Sequence, residues 1–222
     1  MRIAVFSYDF EHAKTQAGLF RLFVAGINVS VVFAAPRVEV KSSSTVRLTP
    51  QGMSVLHPRD ICDRMGIPYV VIPHADVGGA DLGVILGARI LPKKVIDRFS
   101  IGILNFHPGL LPANRGLGTV LRAVLLGIRQ GVTAHLIDEK VDSGRIVLRK
   151  TVPIYADDTP MDVSMRLQNK EMEILVDAIR MADLPRRRGE LETGGSPASL
   201  TYSEENQALI DFAEYTKEFE CG

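Results

Sequence analysis

The sequence predicts an α/β fold: a mostly parallel sheet covered by helices on both faces, with a short C-terminal extension. Three observations carry this. Short apolar runs such as RIAVFS and IGILNF are unbroken rather than alternating, as in strands buried on both sides. Stretches with helical spacing separate them, the pattern of βαβ units. The chain has 222 residues and is 46% hydrophobic, enough for one such domain with a sizeable core.

Taken in order, residues 2–7 read as a first strand. Residues 11–26 follow as a helix, with Ala13, Ala17, Leu19, Phe20, Leu22 and Phe23 at near-helical spacing and a break at Gly26. Residues 28–36 give a second strand ended by Pro36. Residues 37–56 are polar, contain an SSST cluster and are expected to be a loop long enough to hint at function. HPRDICDRM predicts a helix ending at Gly66, then a strand at 69–72. DLGVILGA (81–88) is a continuous apolar strand, LPKKVIDRF a short helix with Pro92 near its first turn, and IGILNF (101–106) the next strand. A helix over 118–128 precedes two strands in GVTAHLIDE and RIVLRKTVPI. Residues 159–182 carry the longest helical pattern, with Thr159 as N-cap, Pro160 next and Asp162 three on. The main domain is expected over 1–183. Residues 184–222 are expected as a hairpin and helix extension ending in QALIDFAEYTKEF, whose Leu209, Ile210 and Phe212 suit either a homodimer contact or docking on the same chain.

Composition excludes several classes. Lys plus Arg and Asp plus Glu are both 26, so formal charge is zero and a whole-chain nucleic-acid binder is not expected. PRRR at 185–188 is the densest basic run and reads as a solvated helix exit before it reads as a phosphate contact. Cys62 and Cys221 make neither a disulfide framework nor a zinc site. The start MRIAVFSYDF lacks a signal-peptide pattern, and no run approaches a membrane span, so a cytoplasmic protein is expected. The turn SYDFEHAK has no G-x-G-x-x-G, and neither a P-loop, an HExxH nor a G-x-S-x-G is present. The histidines at 12, 57, 74, 107 and 135 show no ligand spacing, and no metal is expected.

NFHPGLLPANRG (105–116) is the stretch that points to chemistry. Alternation along a strand puts Asn105 and His107 on one face at its carboxyl end, with Phe106 opposite, before Pro108 and Gly109 stop the strand. A carboxamide can stabilise an oxyanion, and an imidazole can donate to it or move a proton near neutral pH. The loop in HLIDEKVDSGRI offers Asp138, Glu139 and Asp142 as carboxylates to orient the imidazole. The residues alone leave a second reading equally open, in which Asn105 and His107 are ordinary strand-end polar residues and Asp142 a turn former.

N-F-H-P-G-L-L-P-x-x-R-G followed by G-V-T-A-H-L-I-D-E-K-V-D-S-G-R-I resembles the signature of the 10-formyltetrahydrofolate-dependent formyltransferases. That superfamily includes glycinamide ribonucleotide, methionyl-tRNA and sugar-nucleotide N-formyltransferases. The resemblance is dense over 80–180 and implies a Rossmann-like formyltransferase fold, with 1–183 as its catalytic domain. It implies Asn105, His107 and Asp142 as the catalytic set: the first two would stabilise a tetrahedral oxyanion, and Asp142 would keep His107 cationic. It implies 10-formyltetrahydrofolate as cosubstrate, with Arg89, Ile90 and Leu91 reading the pterin edge. The loop Ile137, Asp138, Glu139, Lys140, Val141 and Asp142 would close that pocket. Ile90 and Leu91 could instead be core. His135 matches a family histidine, as an indirect contributor or a satisfied core residue. Arg115 and Gly116 match the family R-G, with Arg115 either anchoring the loop or meeting an acceptor phosphate.

The acceptor implied is a small-molecule amine, with no nucleic acid or membrane partner. Where glycinamide ribonucleotide formyltransferases carry a turn resembling G-S-G-S-N-L-Q, this chain has S-Y-D-F-E-H-A-K, whose acids would repel a phosphate and whose Tyr8 becomes a candidate substrate contact. The segment after residue 182 is too short for the added β-barrel of methionyl-tRNA formyltransferases. An amino-sugar nucleotide is the favoured acceptor. The alternatives are another small amine, the purine intermediate, a tRNA amine, water, or a non-catalytic folate-binding protein.

Overall fold

A computed structural model describes residues 1–38, 54–71, 78–88, 90–140, 142–184, the backbone of 191–192, and 199–220. Expectations for most of the 37–56 loop, His74, Arg89, Val141, the 185–188 run and Cys221 lie outside the described residues. The elements run β1 (Ile3–Tyr8), α1 (Ala13–Val24), β2 (Val29–Ala35), α2 (Pro58–Met65), β3 (Tyr69–Val71), β4 (Leu82–Ile85), α3 (Lys93–Ile96), β5 (Gly102–His107) and α4 (Thr119–Leu126). They continue with β6 (Gly131–Ile137), β7 (Gly144–Thr151), α5 (Pro160–Glu173), α6 (Leu175–Ala182), β8 (Leu191–Glu192) and α7 (Tyr202–Phe219).

Among the described residues, the eight strands form one sheet in the order β3-β2-β1-β4-β5-β6-β7-β8. Pairing is parallel from β3 to β5 and antiparallel from β5 to β8. The chain order reverses on either side of β1, which makes the carboxyl ends of β1 and β4 a switch point of the kind where α/β sheets bind ligands.

The two faces are unequally covered. Val5, Val84, Leu104, Phe106, Ala134 and Leu136 point to a large core. It is packed by Leu19 and Leu22 of α1, Ile61 of α2, Leu121 of α4, Leu167 of α5, Ile179 of α6 and Phe212 of α7. Ala4, Phe6, Phe33 and Ile103 point the other way, to a smaller core closed by Val95 of α3 and by Phe99. Asn105 and His107 share parity with Ile103, so they lie on the thinly covered face, where a ligand can reach the sheet.

Two helical expectations are refined. The pattern over 159–182 is divided at Ile174, yet the bonds from Ile174 N to Lys170 O and from Ala178 N to Ile174 O run through it. At the tail, α7 begins at Tyr202, earlier than QALIDF suggests. Thr201 and Glu204 form a capping box there, each side chain bonded to the other's backbone N–H. Phe212 is buried against the main core, which is docking on the same chain, while Ile210 stays exposed. Among the described residues no helix is long and apolar enough to cross a membrane.

Candidate active site

β5 delivers Asn105 and His107 to one face because Phe106 between them is drawn into the large core. The following loop is bound tightly to its surroundings. Leu111 N donates to Thr133 Oγ1 at 3.0 Å, Thr133 Oγ1 donates to Gly109 O at 2.7 Å, and Asn114 Nδ2 donates to Thr119 O at 2.9 Å. Arg149 Nη1 from β7 donates to Leu111 O at 2.9 Å. The turn closes so sharply that Asn114 O lies 2.7 Å from His107 Nε2. Gly109 makes this possible, since a Cβ there would lie 2.6 Å from Asn114 O and 2.8 Å from His107 Nε2.

Residues 138–140 and 142–143, between β6 and β7, lie over the same face. Asp142 takes a left-handed backbone (φ +52°), unusual for a residue with a side chain, and its Oδ1 lies 3.3 Å from His107 Nδ1. Its Oδ2 accepts from Gly116 N at 2.7 Å, and its carbonyl accepts from Arg115 Nε at 3.0 Å. Gly116 thus holds the carboxylate of Asp142, and Arg115 holds its main chain.

His107 is buried and both ring nitrogens are engaged. A carbonyl oxygen can only accept, so Nε2 carries a proton, and Nδ1 faces the carboxylate. Burial holds the imidazole below its ordinary pKa; Asp142 and the Asn114 carbonyl oppose this without overcoming it. The two acceptors favour a charged ring and burial opposes one. The pair is poised to take up a proton at Nδ1.

His135 sits directly across from Asn105 on β6 and is 1% exposed. Its Nδ1 lies 3.1 Å from Ser143 O, and its Nε2 lies 3.1 Å from Asn105 Nδ2. Burial pushes its pKa down to about 4, so it is neutral at pH 7.

Beside Asn105 is a cavity of about 210 Å³ lined by Ile85, Ala88, Leu91, Ile137, Glu139 and Asp142 among others. Ile90, Asp138, Lys140 and His135 also line it; His107 does not. Ile90 is 76% exposed and is no core residue, whereas Leu91 is buried. The loop wall is stiffened from within: Ser143 Oγ donates to Asp138 Oδ1 and to Lys140 O, and Lys140 N donates to Asp138 Oδ1 at 2.8 Å. Apolar walls with acidic residues along one edge suit a flat, hydrogen-bonding heterocycle.

Tyr8 lies behind this cavity, not in its wall. Its hydroxyl donates to Ala88 O at 2.8 Å and its ring stacks on Phe10 at 4.8 Å. Asp9 accepts from the Tyr69 hydroxyl at 2.8 Å and lies 3.8 Å from both His57 Nε2 and Arg59 Nη2. Its charge is turned toward α2 and β3, so of the two acids in this turn only Glu11 is exposed and opposes a phosphate.

Sequence reasoning missed Asn114, Ser143 and Lys14. The first two act through main-chain carbonyls, which residue type does not encode. Lys14 donates to Phe106 O at 3.1 Å and pairs with Glu171 at 3.0 Å. Among the described residues no group of three His, Cys, Asp or Glu could hold a metal.

A family model described as formyl transferase matches residues 2–179. The phosphoribosylglycinamide formyltransferase of Haemophilus influenzae is 43% identical over 96 residues, 42% of this chain and 45% of its own length. The methionyl-tRNA formyltransferase of Coxiella burnetii is 30% identical over 162 residues, 71% of this chain and 49% of its own length. The chain therefore spans about half the length of these curated relatives. A sugar N-formyltransferase from Shewanella sp. FDAARGOS_354 shares the fold with a TM-score of 0.58 at 18% identity, over 95% of this chain and 87% of that one.

Proposed function

The chain belongs to the formyl transferase family, and on that premise we propose that it moves a formyl group from 10-formyltetrahydrofolate to the primary amine of an amino-sugar nucleotide. The observation that carries the formyl-transfer reading is the meeting of the Asn105 amide and the Asp142 carboxylate at one cavity, with His107 bridged to Asp142 behind it. The cavity fits the folate head: Ile85, Ala88, Ile90 and Leu91 supply apolar contact, and Asp138, Glu139 and Lys140 supply polar groups.

In the reaction the amine nitrogen bonds to the formyl carbon, the bond from that carbon to folate N10 breaks, and one amine proton ends on N10. Asn105 Nδ2–H receives the oxyanion of the tetrahedral stage. The amine proton passes to the His107–Asp142 pair, entering at Nδ1 or at the carboxylate, and returns to the leaving nitrogen. Proton uptake makes His107 a cation between a carboxylate and a carbonyl, two groups that both favour it. Burial opposes this charge, and the Lys14 ammonium adds to that opposition. Holding amine and formyl carbon in register on a rigid face supplies much of the rest.

For the acceptor, the Tyr8–Phe10 stack fills the turn after β1 with aromatic bulk where a backbone phosphate cradle would need small residues. Similarity over 95% of the chain, tail included, to a sugar N-formyltransferase supports the same acceptor class. A second reading, the purine intermediate, is favoured by the 43% identity to the Haemophilus influenzae enzyme.

The test supplies the protein with 10-formyltetrahydrofolate and, separately, nucleotide-linked amino sugars, glycinamide ribonucleotide and no amine, following tetrahydrofolate release. The highest kcat/KM is expected with an amino-sugar nucleotide. Preference for glycinamide ribonucleotide establishes the second reading, equal release without amine makes water the acceptor, and folate binding without release leaves a binding protein.

A further inference from the structure

We propose that His135 is a positioning residue, which by accepting a hydrogen bond at Nε2 fixes the Asn105 carboxamide in the one orientation that aims an N–H at the formyl oxygen. The inference rests on the formyl-transfer reading above.

The tautomer follows from the neighbours. Ser143 O can only accept, so the proton of the neutral ring is on Nδ1, 3.1 Å away. Nε2 then carries a lone pair and needs a donor. Asn105 can meet it only with its amide nitrogen, at 3.1 Å, which places Oδ1 on the opposite side. One Nδ2–H is used on His135, and the second is left for the cavity that both side chains line. With Nε2 protonated, the same contact would require Oδ1, and the amide would turn over. Burial, which keeps the ring neutral at pH 7, therefore protects the orientation of the oxyanion donor.

The arrangement also ties the donor to the cavity wall. Ser143, whose carbonyl sets the tautomer, is held by its own Oγ to Asp138 and Lys140 in the loop that lines the cavity. Loop, imidazole and amide form one hydrogen-bonded chain, so ordering the loop around a bound heterocycle also orders the catalytic amide.

The experiment compares His135→Asn and His135→Gln, each with and without Asn105→Ala. The shorter amide can still donate to Ser143 O but offers no acceptor to Asn105; the longer one can present its oxygen where Nε2 was. His135→Asn is expected to lower kcat about 10- to 100-fold, leaving KM for 10-formyltetrahydrofolate within about twofold, with no further loss in the Asn105→Ala background. His135→Gln is expected to recover kcat to within about fivefold of wild type. Wild-type kcat in His135→Asn, or the same fold-loss on top of Asn105→Ala, overturns the proposal. Long-range 1H–15N spectra of the wild-type imidazole at pH 7 test the tautomer without any turnover: a proton on Nδ1 is expected, and a proton on Nε2 overturns the proposal. Inactivity of the wild type toward every amine would overturn the formyl-transfer reading instead, with the tautomer still read by the spectra.

Discussion

In the proposed reaction Asn105 and Asp142 do different work, and substitution should separate them. Asn105→Ala deletes the proposed oxyanion donor and should lower kcat by about 10²- to 10³-fold with folate binding kept. Asp142→Asn retains an oxygen to accept from Gly116 N but removes the charge beside His107 Nδ1. Its kcat should fall about 10²-fold or more, and the loss should not be recovered at higher pH, because the proton acceptor itself has gone. Single-turnover formyl transfer with parallel folate titrations measures both, and wild-type turnover in either variant would remove that residue from the mechanism. Behind the same strand, Lys14 is paired with Glu171, whose side chain is 3% exposed and whose Oε1 has no protein partner among the described residues. Lys14→Met strands a buried carboxyl and should cost about 3 kcal/mol, while Lys14→Met with Glu171→Leu should recover most of it. Urea unfolding of the double-mutant cycle decides this, and strict additivity of the two changes would deny the coupling.

At the scale of elements, the strands were legible because buried runs such as IAVFSY and GILNFH leave little choice of structure. What periodicity could not supply was direction and coverage. β6 and β7 run antiparallel, and seating α3, alone among the described helices, over the second face is a tertiary fact. The early start of α7 was in principle readable, since T-Y-S-E has the spacing of a capping box. Asn105, His107 and Asp142, the proposed catalytic set, were visible as residue types. Their geometry was not, because it depends on a carbonyl at Asn114, a left-handed Asp142 and the glycine that follows Ser143. That glycine, Gly144, has φ +107°, and a Cβ on it would collide with the Leu136 carbonyl oxygen. Gly144→Ala should cost on the order of 3 kcal/mol, and kcat should drop even in the fraction that stays folded, since Asp142 and Ser143 precede it directly. Denaturant unfolding with kcat per folded molecule tests both parts; unchanged stability would mean the backbone there is freer than its φ implies.

Over the whole molecule, the buried imidazoles make stability depend on pH with a definite sign. Burial holds both His12 and His135 at about 4, and it also holds His107 below its ordinary value. In the unfolded chain these rings titrate near 6.5, so below that pH the unfolded state binds protons that the folded state refuses. Their stabilising effect is complete above pH ~6.5, falls as pH drops toward 4, and for His12 and His135 amounts to at most about 3 kcal/mol each. Glu171 acts with the opposite sign. Its buried carboxyl lies above the usual range, so the folded state takes up that proton first and gains as pH falls. Asp162 and Glu204, held low by bonds from Thr159 and Thr201 at the starts of α5 and α7, lose their contribution only below pH ~4. Between pH 7 and 5 the imidazoles outnumber the one opposing carboxyl, so the urea midpoint should fall steadily over that window, with net proton uptake on unfolding. Glu171→Gln should steepen the fall by removing the compensating group. A midpoint that stays level from pH 7 to 5 would mean these rings are not held neutral in the fold, and the orientation of Asn105 by a neutral His135 would lose its electrostatic basis.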